Sequence, residues 1–131
     1  YSSAASDVYK RQIYRWFTVS EFGNDVDGLA WLLVQHADHD VAFQKQVLGI
    51  LADLYPKGET SPSHYAYLWD RVAGHTGSKQ RYGTQGRCTG PGTWEPFEVE
   101  DPARLEARRA AVGLPSMQVY KQGFKDLGLC P

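Results

Sequence analysis

The stretch that decides the fold is "WLLVQHADHDVAFQKQ", Trp31 to Gln46. Two histidines and two aspartates fall within five residues, directly after a strongly apolar run. Upstream, Leu29, Leu32, Leu33 and His36 recur at helical spacing, with Trp31 and Val34 on the other sides. A helix apolar nearly all round is predicted to be central and buried, with His36 in the core. Downstream, Phe43, Val47, Ile50 and Leu54 form a second stripe, with Lys45, Gly49, Ala52 and Asp53 facing outward. Asp40 stands where an N-cap is needed, with Val41 first in that helix. The block from His36 to Asp40 then becomes a joint between two helices, not one continuous helical face.

Working outward, Gly23 and Asn24 break the chain before the first helix, which Asn24 or Asp25 can cap. Pro56 and Gly58 stop the second. "TSPSHYAYLWDRVAGHTG" opens a third, with Ser61 as cap and Pro62 at the first helical position. Its predicted core stripe is Tyr65, Leu68, Trp69 and Val72, and Gly74 or Gly77 ends it. Tyr67, Asp70 and Arg71 share the opposite side. From Ser78 the texture changes to dense Gly and Pro, which predicts a hairpin with Arg81 to Arg87 and Thr93 to Val99 as irregular strands. Asp101-Pro102 reads as a cap with a first-turn proline, opening a helix closed by Gly113, and a last short helix follows. The expected fold is therefore mainly α (α+β): a small bundle of four to five helices with one irregular β-hairpin.

Composition bounds the function. The chain has 131 residues, 42% of them apolar and 13% aromatic, which suits one packed domain. A net charge of −1 with no basic stripe argues against nucleic acid, and no basic amphipathic helix argues for a membrane surface. No apolar run approaches the roughly 20 residues of a membrane span. Cys88 and Cys130 lack a CxxC partner; free thiols in a reducing, cytoplasmic setting are expected in preference to a bridge between tail and hairpin. The opening "YSSAASDVYKRQ" resembles adapter-derived translation at the start of metagenomic reading frames. Residues 1–12 are therefore expected to be a non-native leader on a truncated chain, and residues 13–131 a single globular domain.

Several residues suit chemistry. His36, with Asp38 beside it, has the make-up of an acid–base pair, since burial and a nearby carboxylate tune a histidine. Arg71 can bind a carboxylate or phosphate with its planar fork. Gln35, Gln44 and Tyr67 add polar groups, and the buried amide of Gln44 needs a partner. "QRYGTQGRC" gathers Tyr82, Thr84 and Gln85 around two glycines but contains no phosphate-loop or dinucleotide motif. A metal would use His36, His39 and Asp40, which share a face only if the helix runs unbroken through them. Capping by Asp40 breaks that face, so no cofactor is expected, with zinc as the minority reading.

The segments "AWLLVQHADHDVAFQ", "GETSPSHYAYLWDRV", "QRYGTQGRC" and "WEPFEVEDPARLEARRAAVGL" together resemble the bacterial DUF6624 family, from Trp16 to Tyr120. Members of that family usually carry a Gly-Trp-Pro turn and further helices upstream. Here Arg15-Trp16-Phe17 stands in the place of the turn. The resemblance picks out Gln35 to Asp38, Asp70 with Arg71, and Tyr82 to Gln85, and implies no reaction. Two readings follow. One is a hydrolase-type enzyme with His36 and Asp38 as acid–base pair and Arg71, Tyr82 or Gln85 on an anionic or carbonyl group. The other is a non-catalytic module for a small molecule or peptide, in which the QHAD and YGTQ blocks form a structural hydrogen-bond network.

Overall fold

In a computed structural model the structure describes residues 16–131. The expected leader lies outside them. Five α-helices and one two-stranded antiparallel hairpin make up the described chain: α1 Val19–Gln35, α2 Val41–Leu54, α3 Pro62–His75, β1 Gly86–Gly90, β2 Thr93–Pro96, α4 Leu105–Ala111 and α5 Met117–Asp126. Short 3-10 turns cover Tyr55–Lys57 and Pro102–Arg104. The mainly helical class with one irregular hairpin is as predicted. No described helix is long and apolar enough to cross a membrane. The chain divides into two compact units, the first ending at Tyr65 and the second starting at Ala66.

In the first unit, α1 is two helical segments joined at Gly23, whose φ of 83° lies in the region that only glycine enters freely. The helix then runs to Gln35 and is in contact with α2, and Val34, Val47 and Leu51 are buried. The predicted leucine stripe of α1 does not face the core. Leu29, Leu32 and Leu33 are exposed, Leu33 at 76%, while Asp27, Val34 and Gln35 are buried. The physical reason is Asp27, whose carboxylate is the acceptor for donors from three other segments and sets the rotation of the helix. A buried carboxylate without donors costs several kcal/mol, so the face that carries Asp27 is held toward its donors. In α2 the buried stripe also turns by one position, to Gln44, Val47 and Leu51; Phe43, Ile50 and Leu54 are half-buried.

In the second unit, Trp94, Leu105, Met117 and Cys130 form the core, with Val99, Tyr120 and Phe124 against it. Trp94 stacks on Phe124 with ring centroids 4.4 Å apart. The hairpin is shorter than predicted, pairing Gly86 with Pro96, Arg87 with Glu95 and Cys88 with Trp94, then slipping before Gly90–Thr93. The chain before it is not a strand, because residues 81 to 85 bond elsewhere, as described below. Gly86 is needed for close approach: a methyl there would collide with the Glu95 carbonyl and the Trp94 indole. Asp101 does not cap with its side chain. Its backbone is left-handed (φ 44°), and its carboxylate meets Arg104 Nε at 3.4 Å instead.

The two cysteines are joined, against the free-thiol expectation. The tail after α5 returns to the hairpin, where Gly92 N donates to Cys130 O at 2.6 Å, and brings the two Cα atoms to 5.4 Å. Compartment reasoning had no access to that return. The bond closes a loop with a sequence separation of 42 residues. Loop-closure entropy puts its contribution at about 4 kcal/mol. Urea unfolding of Cys88→Ser/Cys130→Ser, or of the reduced chain, is expected to show a loss of that order relative to the oxidised chain.

Candidate functional site

In the first unit, the QHAD joint is built as a helix-to-helix turn. His36 ends α1, with its N–H donating to Leu32 O at 3.2 Å, and Asp40 N donates to Ala37 O at 3.0 Å. Asp40 Oδ1 caps α2 by accepting from Phe43 N at 3.0 Å. Gln44, fully buried, reaches back across the joint: its Nε2 donates to Val34 O at 3.0 Å and Gln35 O at 3.3 Å, and lies 3.4 Å from Asp38 Oδ1. One amide thus serves two carbonyls at the end of α1, adding to the bond that Val34 O takes from Ala37 N at 3.0 Å. Gln35 and Gln44 are buried, whereas His36, Asp38, His39 and Asp40 are exposed. The core position expected for His36 is therefore corrected: it follows the leucines, and the leucines face outward. Among the described residues no group of three His, Cys, Asp or Glu side chains is gathered that could hold a metal ion.

The same unit contains a polar constellation that sequence spacing does not suggest. Asp27 is 1% exposed. Its Oδ1 accepts from Trp16 Nε1 at 2.5 Å and Thr60 Oγ1 at 2.7 Å. Its Oδ2 accepts from Ser61 N at 3.4 Å and faces His64 Nδ1 at 3.1 Å. The His64 ring stacks on Trp31, with centroids 4.4 Å apart and planes within 7°. Asp27 and Trp31 lie one turn apart on α1, and His64 sits in the first turn of α3. The one legible signal was an aspartate inside an apolar helical pattern, which must be either solvent-facing or served by donors.

Burial pushes the His64 imidazole below the usual histidine range, against the opposing pull of Asp27. Between the two values the unfolded chain binds more protons than the folded one, so stability falls as pH drops through the ordinary histidine value. Above about pH 6.5 the contribution is fully present. Thermal unfolding between pH 7 and pH 5 is therefore expected to show an acid-side loss that His64→Asn, whose amide can still donate to Asp27, removes.

In the second unit the YGTQ block wraps a second buried carboxylate. Asp70, also 1% exposed, accepts from Arg81 N at 2.9 Å and Tyr82 N at 3.1 Å on Oδ1, and from Thr84 N at 2.9 Å and Thr84 Oγ1 at 2.8 Å on Oδ2. Asp70, which the sequence sets with Tyr67 and Arg71 on the side of α3 opposite its predicted core stripe, points inward to serve three backbone amides that no strand satisfies. Burial pushes its carboxyl up, while these four donors pull it down. The loop's carbonyls are served too: Tyr82 O accepts from Arg109 Nη1 at 2.6 Å, and Thr84 O from the Tyr120 hydroxyl at 3.1 Å. Arg109 is fully buried, lies 4.7 Å over the Tyr120 ring, and donates from Nε to Pro115 O at 2.9 Å. Tyr67 stands near Tyr120, with ring centroids 6.5 Å apart. Burial raises the Tyr120 hydroxyl well above its ordinary value, so it remains a donor.

Arg71, next to Asp70 on α3, turns to the outer side of the same loop, where its Nη1 donates to Gln85 Oε1 at 3.3 Å. Gln80 holds Gln85 from behind: Gln80 Oε1 accepts from Gln85 N at 3.0 Å, and its Nε2 donates to Gln85 O and Phe97 O, both at 2.8 Å. Arg71, His75, Lys79, Gln80, Gln85 and Phe97 line a cavity of about 470 Å³. The sequence-predicted Arg71 and Gln85 are therefore brought together at a cavity, whereas Tyr82 and Thr84 serve the loop's own bonding.

These segments carry the polar blocks seen in the sequence, and the family model of DUF6624, a family of unknown function, matches residues 5–129. The chain belongs to DUF6624. No curated protein and no solved structure matches it. The YGTQ block folds around Asp70 of the Asp-Arg block, so the two form one structural element. In Asp70→Asn, one end of the side chain becomes an NH₂ group facing two N–H or O–H donors whichever way the amide turns. A loss on the order of 3 kcal/mol is expected in urea unfolding, with faster hydrogen exchange at the amides of Arg81, Tyr82 and Thr84.

Proposed function

We propose that the second unit of this DUF6624 chain is a binding site, not a catalytic one, and that it takes a small molecule carrying a carboxylate or phosphate. The observation that carries the reading is Arg71 at the cavity wall. Gln85 Oε1 accepts from Arg71 Nη1 at 3.3 Å and so helps to orient the guanidinium plane. His75 and Lys79 add further positive or polarisable groups, and Phe97 supplies an apolar wall. The volume suits a small ligand, and a planar arginine fork suits two oxygens of one anionic group. The QHAD and YGTQ blocks then act as scaffold, one joining α1 to α2 and the other holding the rim.

This reading ranks above a hydrolase built on His36 and Asp38. Both side chains are exposed, so the burial that tunes a general base is missing there. The Cys88–Cys130 disulfide favours an oxidising compartment over the cytoplasmic setting expected from the sequence.

Titration calorimetry and amide NMR with a panel of short mono- and dicarboxylates, inorganic phosphate and sugar phosphates test the proposal. At least one ligand is expected to bind saturably and shift the amides around Gln80 and Gln85. Arg71→Ala should weaken that binding tenfold or more, and Arg71→Lys, which keeps the charge but loses the fork, should recover only part. Binding unchanged in Arg71→Ala, or no saturable ligand in the panel, would overturn it.

A further inference from the structure

We infer that His64, positioned by Asp27, forms a separate general-base site in the first unit, acting on small carboxylic esters. A histidine becomes a directed base when one ring nitrogen is held by a buried carboxylate, which fixes the tautomer with hydrogen on that nitrogen and leaves the lone pair on the other. Here the holding bond is Nδ1 to Asp27 Oδ2 at 3.1 Å, and Asp27 is itself fixed by Trp16, Thr60 and Ser61. The ring plane is fixed by the Trp31 stack. Among the described residues no hydrogen bond engages Nε2, and the side chain keeps 19% of its surface exposed. Nε2 is thus an oriented lone pair with a route to solvent.

The setting also keeps the imidazole neutral, as a base must be. It lies in the first turn of the 14-residue α3, where the helix dipole disfavours a cation, and its burial acts in the same sense. Asp27 is the ionisable group that acts on it among the described residues. An ester carbonyl suits the surroundings better than an anion does. The neighbouring donors are neutral: Ser61 N shares the same carboxylate oxygen as His64, and the Ser61 and Ser63 hydroxyls lie 2.8 Å apart.

The step balances without a further reactant. Nε2 takes a proton from water as the water oxygen bonds to the acyl carbon, and the carbonyl electron pair moves onto oxygen. As the tetrahedral adduct collapses, the ester C–O bond breaks, its electron pair leaves with the alkoxide or phenoxide, and the imidazolium returns its proton to it. The products are acid and alcohol. His64 is the group that would touch reacting atoms, and Asp27 is a positioning residue. This site is independent of the cavity beside Arg71.

Hydrolysis of p-nitrophenyl acetate by the full chain, followed from pH 5 to pH 8, tests the inference. The expected rate rises with a midpoint below pH 6.5 and then levels off. His64→Asn should lower the plateau second-order rate constant threefold or more, while His36→Gln/His39→Gln leaves it within twofold. A loss smaller than threefold in His64→Asn overturns the proposal. Two measurements on the unaltered chain guard against a variant that fails to fold. Imidazole ¹⁵N NMR should show hydrogen on Nδ1 and a bare Nε2 above the midpoint, and diethyl pyrocarbonate should carbethoxylate His64, seen by peptide mass mapping. A hydrogen on Nε2 instead, or a His64 that stays unmodified while His36 and His39 react, equally overturns it.

Discussion

A carboxylate removed from water must be given donors, and in each unit of this chain one aspartate obeys that constraint by gathering the surrounding backbone. Asp70 shows it most fully: three amides and a hydroxyl converge on two oxygens. Ionised, such a group is costly to bury alone and strongly favourable when every lone pair has a donor. The loop from Gln80 to Gln85 has little regular secondary structure, so its N–H groups need acceptors that no strand supplies. Asp70 provides them, Arg109 and Tyr120 serve the carbonyls, and the orientation of Arg71 toward Gln85 follows.

Much of this was legible in the sequence, for physical reasons that differ from element to element. Asp40 was readable as a cap because the side chain and the amide it serves are three residues apart, and Gly23 as a break because its backbone demand is local. The helix bounds at Pro56, Gly58 and Pro62 are equally local. Arg71 was identified by residue type with Tyr82 or Gln85 as its companion, and a hydrogen bond joins it to Gln85. Rotation about a helix axis was not readable for α1. Its leucines predicted one buried face, but Asp27 takes the buried position, and the donors gathered around its carboxylate set the rotation. The Asp27–His64 contact spans 37 residues and the Cys88–Cys130 bond 42, so neither leaves a spacing that local reasoning can detect.

The two buried aspartates also separate structure from chemistry in a way that their burial alone does not. Asp70 spends its oxygens on the main chain of one loop and on the hydroxyl of that loop's own Thr84. Main-chain amides do not titrate, and they present no second atom to a ligand, so the arrangement is complete in itself. Asp27 is served mainly by side chains: an indole, a hydroxyl and an imidazole. The first two end there. The imidazole does not, because it has a second nitrogen across the ring, and fixing one nitrogen determines what the other can do. The same buried charge therefore closes a loop in one unit and leaves an oriented lone pair in the other. That difference in the donors is what singles out His64, and not the denser histidine–aspartate cluster from His36 to Asp40, as the histidine with chemistry available to it.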